Sequence, residues 1–477
     1  MAFATGRPGL TGPGAAAGGR RVMSALAASS SLSGYESPED LESGPPTPMS
    51  APAGNNTGLP QGNSKGTASA STMHAQRRDF FEAPVRSLNG AVMRASNMAA
   101  GRRKVGVRER IGCFQWTWFT ITMATGGIAN VLHSIPYKSQ WLTGIGLAFF
   151  FLNICLFLMN CVLVSLRFYW RPGSFVESFT DQYESLFISA IIVSMATILI
   201  TVCQYGVPNV GQWLLSVVEA CFWIYAGVST LVSAGLYLTL WSTQVFPIHT
   251  MTPVWVFPAY PLLLTAPFGG NLVAAAHRTG RLDSMNTVAV TSAALTIQGT
   301  GFLISFMVCA AFLYRLMTQK LPRDHQRPGV FISIGPSGFT AAGIVQLGGL
   351  SHEIFPANFM GAEHAGSILR LLAYMAGLWL WGLSIWFFLV SVGSLWKYLR
   401  PENKAKLRFQ MTWFSFVFPN TALVTATEAL GIAFDSPGLK IFGCVLAGVL
   451  VLVWMTVVGK MLTCLWRKEL LWPKEED

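Results

Sequence analysis

Charged residues are scarce in this chain. Only 12% of its 477 residues are Asp, Glu, Lys or Arg, whereas soluble domains carry roughly a quarter. Most of that charge lies in the N-terminal segment and in a few short stretches further along. What remains is a series of long apolar runs, which would not stay dissolved as exposed helices and are too numerous for one soluble core. The scarcity of charge therefore excludes a soluble globular protein.

The motifs of common enzymes and metal proteins are also missing. There is no Walker loop, dinucleotide fingerprint, nucleophile elbow or zinc signature. The 8 cysteines form no CxxC pair, and most lie inside apolar runs, where cysteine behaves as a small hydrophobic residue. The His352-Glu353 and Glu363-His364 pairs do not fit a helical HExxH arrangement. We therefore expect no enzyme, no cofactor, no metal site and no primary pump.

What the chain does have is about ten apolar segments. Each has roughly the twenty residues needed to cross about 30 Å of hydrocarbon, which predicts an all-α membrane protein. The predicted spans are residues 113–135, 141–169, 186–205, 212–241, 253–276, 287–316, 329–350, 367–399, 409–431 and 438–466.

The net charge of +11 does not indicate nucleic-acid binding. Lys and Arg flank the apolar runs and form no basic stripe with interleaved aromatics, so the expected partner is the lipid bilayer. They are concentrated before span one and after spans two, six, eight and ten. This bias predicts an even number of spans and cytosolic termini. The opposite, outer loops contain mainly Lys138, Arg278, Arg281 and Lys440.

The chain divides into three predicted parts. Residues 1–105 are rich in Gly, Ala, Ser, Thr and Pro and show no periodic apolar face, which predicts a disordered cytosolic tail. No apolar h-region follows the start, so we do not expect a secretory signal. Residues 106–468 form the predicted ten-span domain, and residues 469–477 a cytosolic C-terminal tail.

Prolines sort the spans into two sets. Span five contains Pro258, span seven Pro336 and span nine Pro419, and the even-numbered spans have no interior proline. Proline removes an amide donor and kinks a helix. Thr125-Gly126-Gly127 is expected to break span one in the same way. The alternation predicts an inner ring of kinked odd spans and an outer ring of straight even spans.

Two spans resemble a known family. The sequences WFT at 118–120 and MATGGIA at 123–129 in span one, and WFSFVFP at 413–419 in span nine, resemble the tellurite-resistance/dicarboxylate transporter family. Within that family, the resemblance is greatest to the fungal malate permeases. The family also includes fungal sulfite efflux pumps, bacterial tellurite-resistance proteins and plant guard-cell anion channels. The resemblance covers about residues 108–466.

The resemblance implies an architecture and a gate. It implies five helical hairpins around a pseudo-fivefold axis, odd helices lining a central pore, and a homotrimer with one pore per subunit. In the channel members, a phenylalanine on the ninth helix plugs the pore. Phe418 matches this plug best because it precedes the kinking proline, with Phe416 and Phe414 as alternatives.

Phenylalanines beside prolines are the candidate pore and gate residues. Phe257 precedes Pro258, and Phe418 precedes Pro419. Pro336 marks the corresponding depth in span seven. In one interpretation the two rings narrow the pore and sort anions. In the other they simply pack beside a kink, as buried aromatic residues commonly do.

No Lys or Arg lies deep in the predicted pore. Anion selection would then depend on hydroxyls, backbone amides and helix N-termini exposed at the kinks. Thr125, Ser337 and Thr421 are the candidate hydroxyls. Arg370, at the predicted outer end of span eight, either recruits the anion or only snorkels to the membrane surface.

Two ionisable residues are candidates for proton coupling. Glu428 lies in span nine and His133 at the end of span one, and a carboxylate inside hydrocarbon needs a partner, a cavity or a proton. The alternatives are a structural hydrogen bond or an exposed position near the membrane surface for Glu428, and an interfacial position for His133. Glu219 in span four is expected to tether hairpins or subunits.

The sequence thus favours secondary transport of a small organic anion. We expect a carrier of C4-dicarboxylates such as malate in the plasma membrane, taking the monoanion or moving with protons. A sulfite efflux pump and an anion channel gated by phenylalanine are the alternatives.

Overall fold

The computed structural model describes residues 105–400 and 407–472. Within these ranges every regular element is a helix, which confirms the predicted all-α membrane fold. The predicted N-terminal tail lies outside the described residues apart from Val105, and the predicted C-terminal tail is described only as far as Trp472.

Ten main helices correspond to the predicted spans. In the described ranges, eight helical stretches are long and apolar enough to cross a membrane, and the bent pair Pro253–Ala259 and Leu262–Arg278 would make a ninth. The helix of span one is shorter, so the number ten stays a prediction. The helices are α1 (Phe119–Ser134), α2 (Gln140–Trp170), α3 (Ala190–Thr201), α4 (Gln212–Thr243), α5 (Thr265–Arg278), α6 (Thr287–Gln319), α7 (Ile334–Gly349), α8 (Ala365–Ser394), α9 (Phe418–Ala433) and α10 (Pro437–Trp466).

The odd and even helices differ in regularity. The even helices run uninterrupted for 30–33 residues. Each odd helix is shorter and follows a 3-10 segment that forms the first part of its span. These segments are Trp116–Trp118, Ser185–Phe187, Pro253–Ala259 with Leu262–Leu264, Asp324–Ser333 and Met411–Phe416.

Burial confirms the sorting into inner and outer spans. In the apolar stretches of spans three, seven and nine, 67%, 89% and 78% of residues are buried, against 22–33% in the five even spans. In α1, every residue from Phe119 to Ala129 is buried. The odd helices therefore form the interior, and the even helices present their apolar surfaces to the bilayer.

The helices pack in a closed order. Helix α1 contacts α3, α3 contacts α5, α5 contacts α7, α7 contacts α9, and α9 returns to α1. Each even helix lies against its own hairpin partner and against the next inner helix. We call the five odd helices with their 3-10 segments the inner ring. Its fivefold symmetry and an open pore along its axis stay predictions.

The predicted break in span one is in the wrong place. Thr125-Gly126-Gly127 lies inside the continuous helix α1, and the irregular part of the span is the 3-10 turn Trp116–Trp118. The glycines serve close packing instead. A Cβ atom on Gly126 would clash with Thr197, and one on Gly127 would lie 2.7 Å from Cγ2 of Thr421.

The irregular inner spans leave backbone groups without helical partners, which is costly inside a membrane. Side chains of neighbouring helices satisfy many of them. In the first turn of α5, the backbone amide of Ala266 donates to Gln298 Oε1 of α6 at 3.1 Å. In six further hydrogen bonds, a side chain of one span donates to a backbone carbonyl oxygen of another span. The donors and acceptors are Asn160 to Trp118 (3.1 Å), Tyr237 to Trp255 (3.0 Å), Ser189 to Phe257 (2.8 Å), Tyr225 to Pro261 (2.5 Å), Tyr260 to Ile332 (2.6 Å) and Ser384 to Ile334 (3.0 Å).

A small residue in α7 sets its distance from α9. A Cβ atom on Gly338 would lie 2.9 Å from the carbonyl carbon of Ala422 and 3.0 Å from the amide nitrogen of Leu423. Backbone cannot move aside as a flexible side chain can. We expect Gly338→Ala to lower the free energy of unfolding by about 1–3 kcal/mol, as overpacking does, measured by thermal unfolding in detergent.

Gly235→Ala is the matched control for this variant. Gly235 lies in α4, and a Cβ atom added there would have no neighbouring atom within 4 Å. Alanine also favours a helix more than glycine does. Its thermal unfolding should match or slightly exceed that of the wild type. Equal stability of the two variants would contradict the close contact between α7 and α9.

Candidate anion pathway

Aromatic rings meet inside the inner ring. Phe418 lies 5.2 Å from Phe339 and 5.9 Å from Tyr260 between ring centroids. Tyr260 lies 5.2 Å from Phe257, which in turn lies 4.6 Å from Phe187. We call these five residues the aromatic cluster. They come from inner spans three, five, seven and nine, and all are buried.

The contact between Tyr260 and Phe418 locates the cluster. Spans five and nine are not neighbours in the packing order, because span seven lies between them. A contact between their side chains therefore crosses the interior of the inner ring. The cluster lies where the inner spans change from 3-10 to α-helix, since Phe418 is the first residue of α9 and Phe257 belongs to Pro253–Ala259.

The local sequence explains how the rings reach this point. Pro419 and Pro336 lie in the first turns of α9 and α7, where the missing amide hydrogen has no helical acceptor anyway. Pro258 lies inside a 3-10 segment. These prolines fix where the helical segments begin, and so bring Phe418 and Phe257 within contact of the same ring, Tyr260.

Three members of the cluster were not predicted from the sequence. Tyr260 lies three positions after Phe257, and Phe339 lies three positions after Pro336. Phe257 and Pro336 are both candidate pore residues from the sequence. That spacing brings a side chain back to the same face of a helix. Phe187 has no adjacent proline, so only the structure places it here.

A chain of carboxamide side chains links four inner spans. Gln204 Nε2 donates to Asn130 Oδ1 at 2.5 Å and to Asn271 Oδ1 at 2.9 Å. Asn271 Nδ2 donates to Gln346 Oε1 at 3.4 Å. We call these four residues the carboxamide chain. They lie in the second half of their spans, which is the outer half in the predicted orientation. No motif in the sequence indicated them.

The three predicted hydroxyl ligands are buried, and each donates to a backbone carbonyl. Thr125 donates to Ile121 at 2.7 Å and accepts from Trp454 of α10 at 3.2 Å. Thr421 donates to Phe418 at 2.5 Å. Ser337 lies near the carbonyl of Ile334 at 3.3 Å. Thr125 therefore faces an outer helix, and the three anion-ligand roles stay predictions.

Glu428 is fully buried and faces α10. Among the described residues, neither of its carboxylate oxygens has a hydrogen-bond partner. A Cβ atom on Gly443 would lie 2.9 Å from Cγ of Glu428, so this side chain packs between α9 and α10. An ionised carboxylate so placed is expensive, and the proton-coupling role of Glu428 stays a prediction.

The remaining candidates lie away from the aromatic cluster. His133 ends α1 with its Nε2 3.3 Å from a guanidinium nitrogen of Arg278, and its ring packs against Tyr205 at 5.3 Å. Arg370 is exposed on the outer helix α8. Glu219 is half-buried on α4. Their proposed roles also stay predictions.

An inner ring of helices that begin with 3-10 segments, with aromatic side chains meeting inside it and long lipid-facing helices around it, is the architecture of a polytopic membrane transport protein. Comparison with known proteins narrows the class. The family model SLAC1, described as voltage-dependent anion channel, matches residues 113–462, and the chain belongs to this family.

Curated relatives agree with this assignment. The chain is 27% identical over 374 residues to a malic acid transport protein of Schizosaccharomyces pombe, covering 78% of this chain and 83% of that one. It is 26% identical over 348 residues to a sulfite efflux pump of Trichophyton rubrum, covering 73% and 89%. The resemblance found in the sequence is confirmed. The protein transports anions across a membrane and is not an enzyme.

Proposed function

We propose that the protein is a secondary carrier of C4-dicarboxylates such as malate. The observation that carries the proposal is the contact between Tyr260 and Phe418 across the inner ring. A pathway filled by buried aromatic rings passes an anion only when the rings move, as in alternating access. Similarity to the malic acid transport protein supports malate as the substrate.

The geometry of the breaks supports an anionic substrate. The α-helical parts of spans nine and seven begin at or beside the aromatic cluster, at Phe418 in α9 and at Ile334 in α7. A helix N-terminus carries partial positive charge. Discontinuous helices in transporters use such termini to bind anionic groups at mid-membrane. The inner ring can therefore stabilise an anion there without a buried Lys or Arg.

We further propose a location and an assembly. The protein lies in the plasma membrane with both termini in the cytosol, as the loop charges favour. It forms a homotrimer with one pathway per subunit, in line with the family resemblance. The exposed apolar surfaces of the even helices are available for contacts between subunits.

Labelled uptake tests the carrier proposal. Cells that lack their own dicarboxylate transporters and express this protein should accumulate labelled L-malate above its external concentration. An uncoupler that dissipates the proton gradient should abolish the accumulation. Cells with an empty vector are the control. Transport that never exceeds equilibration would contradict a coupled carrier.

Two alternatives have distinct outcomes in the same cells. The sulfite efflux pump among the relatives favours sulfite export, which would appear as growth protection against sulfite without malate flux. The position of Phe418 favours a gated channel, which would appear as ohmic anion currents in a voltage clamp. Either result would replace the carrier proposal.

A further inference from the structure

A cavity lies at the predicted outer end of the inner ring, apart from the aromatic cluster. Its volume is about 150 Å³, and it opens between the end of α1, the first turn of α2 and the segment that follows α3. Lys138, His133, Thr143 and Gln204 are among its lining residues, and none of the described Asp or Glu residues lines it. We call it the outer cavity. Its lining is suited to an anion rather than a cation.

Gln204 lines this cavity and has an unused acceptor. Its side chain is 4% exposed. Both hydrogens of its Nε2 are used within the carboxamide chain, by Asn130 and Asn271. Its Oε1 has no hydrogen-bond partner in the described residues. A buried acceptor left without a donor is costly, so a ligand that brings an O–H group would be favoured here.

The backbone at Gln204 is unusual. Residues Val202–Gly206 form a π-helical turn between α3 and the short helix Val207–Val210. Such turns insert one extra residue into a helix and occur frequently at functional sites. This turn carries both Gln204 and Tyr205, which line the outer cavity. Tyr205 is held in place by donating its hydroxyl to the carbonyl of Ala129 at 3.0 Å.

Positive charge accumulates at the cavity. Partial burial, and then repulsion from Arg278, lower the pKa of Lys138. The Arg278 guanidinium is itself 3.3 Å from His133, which lines the cavity, so two cationic side chains, one from a loop and one from the end of α5, lie at or near the cavity. An anion placed among them would relieve this repulsion.

We propose that the outer cavity is a binding site for a hydroxycarboxylate anion. Lys138, assisted by the field of Arg278, binds a carboxylate, and the hydroxyl group of the ligand donates to Oε1 of Gln204. This assignment rests on the proposed function, whose substrate class it narrows from dicarboxylates to hydroxydicarboxylates. The carboxamide chain continues from Gln204 to Gln346 of α7 and gives the bound anion polar neighbours further inside the ring.

The unused acceptor gives the site a specificity. L-Malate carries a hydroxyl group that succinate lacks, and otherwise the two anions have the same carbon skeleton. A site built to pair a hydroxyl rejects the analogue without it, because its own polar group is then left unpaired. Succinate should therefore bind roughly tenfold more weakly than L-malate.

Calorimetry on the purified full-length protein in detergent tests the site. Lys138→Gln should raise the Kd for L-malate roughly tenfold, as expected for one charge-assisted hydrogen bond. Lys138→Arg should restore most of the affinity. The matched control is Lys440→Gln, which removes the same charge on the same predicted face, where Lys440 pairs with Asp435. It should leave the Kd unchanged.

Gln204→Met should bring the Kd values for L-malate and succinate together. Because this change also removes hydrogen bonds to Asn130 and Asn271, the ratio of the two Kd values in the wild type is the primary measurement. A wild-type Kd for succinate equal to that for L-malate would overturn the hydroxyl assignment. An unchanged Kd in Lys138→Gln would overturn the site as a whole.

Binding and uptake separate the two proposals. Binding of L-malate that depends on Lys138, without uptake by cells, would support the site and overturn the carrier. Uptake of L-malate by cells, together with a Kd for Lys138→Gln equal to that of the wild type, would support the carrier and overturn the site. No binding of L-malate to the wild-type protein would overturn the site, whatever the cells show.

Discussion

Phe418→Ala is expected to turn the protein into an anion leak. The ring of Phe418 contacts Tyr260 and Phe339 inside the inner ring. Removing this ring leaves a gap at the point where spans five and nine touch in the wild type. The α-helix that begins at residue 418 would still present its N-terminus to a passing anion. We expect passive anion flux to rise on the order of tenfold or more, since the loss of about 1.4 kcal/mol of barrier suffices for each factor of ten.

Anion efflux from proteoliposomes, with chloride and malate as probes, measures this leak. The matched control is Phe268→Ala. Phe268 is also fully buried, but it packs against Phe222 and Tyr225 between α5 and α4. Both variants should lose about 3–5 kcal/mol of stability, as Phe-to-Ala changes in cores do. Only Phe418→Ala should leak, and a leak of equal size in both would contradict a gate at the aromatic cluster.

Arg167→Met is expected to be among the most destabilising single changes in the chain. Arg167, near the end of α2, and Glu184, just before α3, form a buried ion pair with 7% and 3% exposure. Arg167 Nη2 donates to Glu184 Oε2 at 3.0 Å, and Glu184 Oε1 also accepts from the amide of Trp116 at 3.2 Å. Removing one member leaves a buried charge uncompensated, which costs about 3–5 kcal/mol.

The Tm in detergent and the yield of folded protein measure the effect. The double variant Arg167→Met/Glu184→Gln should recover much of the loss, because replacing both charges of a buried pair is tolerated far better than breaking it. The control is Asp435→Asn, which breaks the exposed pair with Lys440 and should leave the Tm unchanged. If Arg167→Met were as stable as Asp435→Asn, the structural role of the buried pair would be contradicted.

Much of the fold could be predicted from the sequence. Hydropathy located the spans to within a few residues, for example 287–316 against Thr287–Gln319, since a uniformly apolar surface helix is decided by local composition. The prolines at 258, 336 and 419 identified which spans are inner, because proline acts on its own backbone. The breaks in spans one and three carry no proline and escaped this reasoning.

The candidate site was harder to predict because it depends on contacts between distant spans. Phe257 and Phe418 could be singled out beside their prolines, but Tyr260 becomes meaningful only through its contact with span nine. Gln204 carried no motif, and its unused acceptor emerges only once Asn130 and Asn271 occupy its amide. Lys138 and Arg278 were recognised as outer-loop charges, but the long stretch of sequence between them conceals that Lys138 lines the outer cavity and that Arg278 contacts His133, which lines it too.

The side chains that satisfy the broken backbone of the inner spans impose an order on biogenesis. Each hairpin is synthesised inner span first, so Trp118 leaves the ribosome before Asn160 can reach its carbonyl. Thr125 in α1 likewise cannot accept from Trp454 until α10 has been made. Unpaired backbone is poorly tolerated in lipid. The odd spans must therefore be sheltered by the translocon or by an insertase until their even partners arrive, and α1 completes its contacts only after α10 has been made.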